Sequence, residues 1–310
     1  MDKRKIIIDC DPGHDDAVAL MMAASSDKLD LLGISVEAGN QTIEKTGLNA
    51  LHLVEYLDLD VPVSLGRGYP IKRKPMICAE IHGESGLDGF TFPNPKRKFD
   101  SRDAVTFIRD LLNENDKVTL VPTGPLTNIG LLLRDYPEVK SHIEEIVLMG
   151  GSMGHGNVSP AAEFNILCDP EAADIVFNSG VKVKMIGLDV TREVLLYPTI
   201  LERMHNIGNK VSELFYKLMV VFNENQKNIF GFSGAPLHDP ATILYLINPN
   251  IIKFQYMNVV IDVTGGPSYG RTNCDRFDYL HQEKNAYVAT DINVHLYWDE
   301  LEKGLRKFSN

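Results

Sequence analysis

Four aspartates, Asp9, Asp11, Asp15 and Asp16, fall within eight residues in the run Lys5-Ile6-Ile7-Ile8-Asp9-Cys10-Asp11-Pro12-Gly13-His14-Asp15-Asp16. Carboxylates crowded this closely repel one another and raise each other's pKa unless a cation lies among them. A hard divalent metal takes oxygen ligands and removes the repulsion. Acidic residues also serve as helix caps, where the helix dipole favours them. One helix start cannot use four carboxylates, so metal binding is the preferred reading of the run.

The elements that must position these carboxylates follow from the flanking residues. The β-branched run Ile6–Ile8 reads as a buried strand, and Pro12-Gly13 ends it abruptly. Ala17, Val18, Leu20 and Met21 recur at helical spacing, so a helix is expected from about His14. The same alternation continues along the chain. Strands are expected at 29–37, 61–63, 117–121, 143–149 and 183–188, and again near 255–263 and 286–290. Helices are expected at 41–57, 104–113, 126–134, from Asp169-Pro170-Glu171, over 197–226 with a break near Gly208, at 241–247 and at 294–308. Residues 66–100 and 230–236 read as loops, the first long enough to be functional. Strands alternating with helices imply an α/β fold, a mostly parallel open sheet with helices on both faces. With no linker or internal repeat, residues 1–310 are expected to form a single domain.

Composition narrows the class. The chain has 310 residues, 44% of them hydrophobic and 24% charged, as in a globular protein. A net charge of −11 without a basic block argues against nucleic acid as a partner. No apolar stretch spans a bilayer, and the run Ile6–Ile8 is too short and too acidic in its flank for a signal peptide. Cys10, Cys78, Cys168 and Cys274 are scattered and form no CxxC pair, so neither a zinc site nor a disulfide framework is expected. The expected location is the reducing cytoplasm.

In open parallel sheets, ligands bind beyond the carboxyl ends of the strands. The polar residues of this chain collect there. Asp11 and Asp16 follow the first strand, Asn40 the second and Thr123 a later one; Asn157, Glu163 and Asn165 follow the next, and His238-Asp239 opens a helix. Carboxylates, amides and a strand-end carbonyl suit a calcium-like ion and the hydroxyls of a sugar. Neither GxGxxG after the first strand nor GxxxxGK[ST] occurs, which removes the dinucleotide and P-loop readings.

The run Asp9-Cys10-Asp11-Pro12-Gly13-His14-Asp15-Asp16-Ala17 resembles the DxDPGxDDA signature of the nucleoside hydrolases. The resemblance continues through His82-Gly83-Glu84-Ser85-Gly86-Leu87-Asp88-Gly89, Pro122-Thr123-Gly124-Pro125-Leu126-Thr127-Asn128, Met149-Gly150-Gly151, Glu163-Phe164-Asn165 and His238-Asp239-Pro240. It implies a Rossmann-like nucleoside hydrolase fold and hydrolysis of the N-glycosidic bond of ribonucleosides to free base and ribose with bound Ca²⁺, a reaction of nucleoside salvage. It makes Asp11, Asp16, the carbonyl of Thr123 and Asp239 the calcium ligands, and Asp11 also the base that deprotonates the attacking water. It places Asp15, Asn40, Asn157, Glu163 and Asn165 on the ribose, with Phe164 inside the same motif. His82 and His238 fall at the base side, where His238 is the expected acid for the departing base. A homo-oligomer, dimer or tetramer, is implied as well. Asp9, still inside the strand, is expected to bond nearby backbone, while His14, His52, His155 and His205 are expected on loops or the surface.

For the base, Phe222, Gln226 and Phe230 are the candidates at helical spacing ahead of the His-Asp-Pro motif. Gln226 resembles the glutamine of pyrimidine-preferring members, so uridine and cytidine are the expected substrates, with a purine-preferring or non-specific enzyme as the alternative. Two more distant readings are set aside. A haloacid dehalogenase (HAD)-type phosphatase would need Thr or Val where Gly13 stands, and a non-catalytic sugar- or nucleoside-binding protein would carry two lobes and a signal peptide.

Overall fold

The computed structural model of the chain describes residues 3–309. Strand β1 (Arg4–Cys10) leads into helix α1 (His14–Ser25), followed by β2 (Leu29–Val36), α2 (Ile43–Tyr56), β3 (Val63–Leu65), the single turn α3 (Ala79–His82), α4 (Ala104–Glu114), β4 (Val118–Pro122) and α5 (Thr127–Asp135). Next come β5 (Ile143–Met149), α6 (Phe164–Cys168), α7 (Pro170–Phe177), β6 (Val183–Ile186), α8 (Leu188–Thr191), β7 (Leu195–Leu196), α9 (Pro198–His205) and α10 (Lys210–Phe230). The chain ends with β8 (Ala235–Pro236), α11 (Pro240–Ile247), β9 (Ile252–Ile261), β10 (Thr272–Asp275), β11 (Ala286–Ile292) and α12 (Val294–Leu305).

Nine strands form one sheet in the order β10-β9-β11-β6-β5-β4-β1-β2-β3, and β7 pairs with β8 apart from it. From β11 to β3 every neighbouring pair is parallel. Strand β9 runs antiparallel to both β11 and β10, so the far edge is mixed. The parallel strands are apolar because both faces are covered. In β1, Ile6 and Ile8 enter a core formed with α1, α2, α10, α11 and α12, while Ile7 enters the opposite core with α4, α5 and α7.

The order of the sheet locates the crevice. From β1 the chain proceeds outward to β2 and β3 on one side, and β4, β5 and β6 lie on the other. This reversal between β1 and β4 is where an open α/β sheet leaves a cleft at its carboxyl ends. Asp11, Asn40, Thr123 and the loop after Met149 all emerge there.

The break expected near Gly208 separates α9 from α10, whose Asn209 cap accepts from the backbone of Val211 and Ser212. Other elements differ from expectation. Helix α10 continues past Gln226 to Phe230 and ends where Gly231 turns left-handed, so Phe230 is helical rather than in a loop. The third strand is shifted to 63–65, and α12 stops at Leu305. Strand β10 carries the polar run Thr272-Asn273-Cys274-Asp275, which gives no hydrophobic alternation because it is an edge strand. Among the described residues, no helix is long and apolar enough to cross a membrane.

Candidate active site

The aspartates of the first corner are all buried. Asp16 divides its bonds: Oδ2 accepts from the Gly13 amide at 3.0 Å and from Asn40 Nδ2 at 2.9 Å, and Oδ1 accepts from Thr123 Oγ1 at 2.8 Å. The Gly13 bond is the helix cap, so capping accounts for one of the four carboxylates. The Asp15 carboxyl faces the backbone of Asp239 and His238 at the start of α11, which offsets part of the rise in its pKa. One oxygen from each of Asp15, Asp16 and Asp239 lies within 4.8 Å of the others. Asp11 stands beside them. Its Oδ2 accepts the Asn40 amide at 2.6 Å, while Oδ1 is buried with no hydrogen-bond partner among the described residues. The backbone is built closely around it. A β-carbon at Gly39 would collide with Asp11 Oδ2, and one at Gly124 would stand 2.6 Å from Oδ1.

Burial and mutual repulsion act together on this cluster. Asp11 and Asp239 are pushed well above the usual carboxylate range by burial and by neighbouring aspartates. Burial, then the charge of Asp16, pushes Asp15 up to about 7, and burial raises Asp16. The consequence for stability has a definite sign. Above pH 6.5 the carboxyls of an unfolded chain are ionised and its histidines largely neutral. The folded, metal-free cluster still holds protons there, so the native state binds more of them and loses stability as pH rises. In chelator, the melting temperature is expected to fall between pH 6.5 and 8, and a divalent cation should remove that slope. A flat profile in chelator would contradict it.

Asp9 differs from expectation. Its Oδ1 accepts from Ser35 Oγ at 2.5 Å and Asn128 Nδ2 at 3.0 Å, so it bonds side chains of the neighbouring strand and of α5 rather than backbone. The carboxyl of Glu37 is buried beside it at the end of β2. It was missed because a single strand-end glutamate carries no motif.

The cleft is lined by Asp15, Asn40, His82, Thr123, Asn157, Glu163, Phe164, Asn165, Gln226, Phe230, His238 and Asp239, together with Phe222. Sequence reasoning missed Cys78, Ile81, Met149 and Val158 in the same wall. On the polar side, Asn165 Nδ2 donates to the carbonyls of Thr123 at 2.8 Å and Met149 at 3.1 Å. The Glu163 carboxylate accepts from the amides of Gly151, Asn165 and Ile166, capping α6, and burial raises its pKa to about 6. Asn157 Oδ1 accepts the Phe164 amide at 2.9 Å. Asn40 Nδ2 also bonds the Asp11 carbonyl at 3.0 Å.

The opposite side is aromatic. His14 is fully buried, not on a loop or the surface: its ring stacks on His82 and on Phe222 with centroids 5.5 and 5.4 Å apart. His14 Nε2 donates to the Asp88 carbonyl at 2.8 Å, and the His14 amide donates to His82 Nδ1 at 3.2 Å. The long loop thus folds over α1 and delivers His82. His52, on α2, and His205, ending α9, are half-buried, and His155 is exposed on its loop. Burial drives the imidazoles of His82 and His238 down, His238 to about 3. Gln226 is buried with Oε1 unpartnered among the described residues, and Phe230, 43% exposed, sits at the rim.

Residues 6–299 match the family described as inosine-uridine preferring nucleoside hydrolase. The chain is 47% identical, over 99% of both chains, to a pyrimidine-specific ribonucleoside hydrolase RihB of Shigella flexneri serotype 5b (strain 8401), and equally to one of Escherichia coli O9:H4 (strain HS). Among solved structures, a purine-preferring ribonucleoside hydrolase from Gardnerella vaginalis superposes with a TM-score of 0.92 at 33% identity, over 98% of each chain. An acid-lined cleft at the switch point of a nucleoside hydrolase sheet, matched from end to end by these relatives, places the chain in the nucleoside hydrolase family, as an enzyme that hydrolyses N-glycosyl bonds of ribonucleosides.

Proposed function

We propose that this hydrolase prefers uridine and cytidine and works with bound Ca²⁺ held by Asp11, Asp16, the Thr123 carbonyl and Asp239. The observation that carries the base preference is Gln226. Its Oε1 is buried in the cavity wall without a donor, and its amide can both accept from and donate to a pyrimidine edge. The relatives at 47% identity are named as pyrimidine-specific, which supports the same reading. For the metal, the support is the donor set: all oxygens, buried, with the free Oδ1 of Asp11 beside the close carboxyls.

When bound, the ion supplies charge neutralisation and Lewis-acid polarisation of water. The residues of the chain do the rest. Asp11 takes a proton from the attacking water as oxygen bonds to C1′. Asp15, Asn40, Asn157, Glu163 and Asn165 hold the ribose hydroxyls, contacts that tighten as the sugar gains oxocarbenium character. The C1′–N bond breaks and its electron pair leaves with the base, whose developing charge His238 meets by donating a hydrogen bond, with His82 and Phe222 alongside. Phe164 and Phe230 close the walls. We assign the chain to one cytoplasmic domain that assembles as a dimer or tetramer. The unbroken nine-stranded sheet supports the first point, and exposed Phe277 and Tyr279, 70% and 78% accessible, offer surface for a second copy.

A panel of uridine, cytidine, inosine and adenosine, followed by ribose release, tests the preference. Uridine or cytidine is expected to exceed inosine in kcat/KM by roughly ten- to a hundredfold, the effect of leaving one buried polar group unpaired. Gln226→Tyr should narrow that gap. Inosine leading the panel would overturn the reading.

A further inference from the structure

We propose that Thr191 is a positioning residue that sets the donor face of His238: its hydroxyl donates to Nδ1, so the neutral ring carries its hydrogen on Nε2, toward the departing base. The inference rests on the reading of His238 as the group serving the leaving base, and supplies what that reading lacks, the nitrogen that donates.

The argument is an accounting of hydrogens. Thr191 ends α8, is fully buried, and its Oγ1 stands 2.7 Å from His238 Nδ1. A hydroxyl owns one hydrogen, and buried donors are paired in folded proteins. Among the described residues, His238 Nδ1 is the one acceptor within reach of that hydroxyl. Were Nδ1 to carry the ring hydrogen, Thr191 could only accept, and its own hydrogen would be buried without a partner. Donation from Thr191 therefore leaves Nδ1 bare and puts the hydrogen on Nε2. The ring lines the cavity, so the nitrogen that carries the hydrogen decides what it offers.

The helix that holds Thr191 is itself held against the sugar side. The Leu188 amide donates to the Gly151 carbonyl at 2.9 Å. Asp189 accepts from the amides of Met153 at 2.6 Å and Gly154 at 3.0 Å, and Arg192 donates to the carbonyls of His155 and Gly156 at 3.1 and 2.6 Å. That loop leads directly to Asn157. One short helix thus fixes the ring that meets the base and the loop that meets the ribose.

The test compares Thr191→Val, Thr191→Ser and His238→Ala at saturating uridine and at saturating p-nitrophenyl riboside, whose leaving group needs no proton. Valine keeps the branched shape and removes the hydroxyl. Thr191→Val is expected to slow uridine about ten- to a hundredfold while p-nitrophenyl riboside stays within about twofold, and Thr191→Ser should recover most of the uridine rate. Equal slowing of both substrates by Thr191→Val, or slowing of neither, overturns the proposal. If His238→Ala leaves uridine turnover intact, the leaving-group reading itself fails, a different result. Should the valine variant not fold, long-range proton–nitrogen correlation on the wild-type protein decides: hydrogen on His238 Nε2 supports the assignment, hydrogen on Nδ1 overturns it.

Discussion

Asp11→Asn is expected to lower kcat by at least about a hundredfold, the effect of removing a general base alone. The substitution is nearly isosteric, so the loss reads chemistry rather than packing. Asp11 is fully buried, and its two oxygens have separate duties. Oδ2 is committed to the Asn40 amide at 2.6 Å, while Oδ1 is free. An asparagine must keep its oxygen toward the Asn40 amide, because an NH₂ there would meet another donor. Its NH₂ then occupies the place of Oδ1, where it can neither accept a proton nor approach a cation. The variant should therefore lose metal as well as rate. Metal analysis is expected to find about one Ca²⁺ per wild-type chain, as an all-oxygen site suggests, and clearly less in the variant. Full turnover by Asp11→Asn, or by the wild type after thorough chelation, would remove Asp11 and the ion from the mechanism.

The contrast between Asp11 and His14, three residues apart, shows which parts of such a site can be read in a sequence. Asp11, Asp15 and Asp16 were legible because the corner that gathers them is local: a buried strand, Pro12-Gly13, and a helix start. The rim was legible for the same reason, since strand ends in a parallel sheet converge whatever lies between them. His14 was misread because its burial is made by partners far along the chain, the loop that carries His82 and Asp88 and the ring of Phe222 on α10. Nothing in its neighbours announces those contacts. Asp9 failed in a similar way, its partners being Ser35 on the adjacent strand and Asn128 on α5. Thr191 was silent altogether, an ordinary residue in a four-residue helix whose meaning lies in one distance. The edge strand β10 was missed for want of periodicity, and α10 runs one turn beyond its expected end, to the left-handed Gly231, which moves Phe230 from a loop to the end of a helix.

His238→Ala is expected to reduce kcat for uridine by about a hundredfold or more, within the range for a positioned hydrogen-bond donor to a developing anion. The size of the effect should depend on the leaving group, because uracil departs as a poor anion and p-nitrophenolate as a good one. A p-nitrophenyl riboside should therefore lose only a few-fold. The pH dependence sharpens the test. Burial holds the free imidazole down at about 3, so it is neutral across the working range. The unfolded chain takes up that proton near pH 6.5 and the native protein does not, so this group's contribution to stability is full above 6.5 and falls as pH drops toward 3. Removing the ring should take that contribution away, and the variant should lose less stability than the wild type on acidification from pH 6.5. In kcat/KM, which reports the free enzyme, no limb between pH 5 and 8 should disappear with His238. A limb near pH 6.5 that vanishes in the variant would mean that the ring titrates openly. Equal slowing of uridine and the nitrophenyl substrate would mean that His238 acts on the sugar or the fold instead of on the departing base.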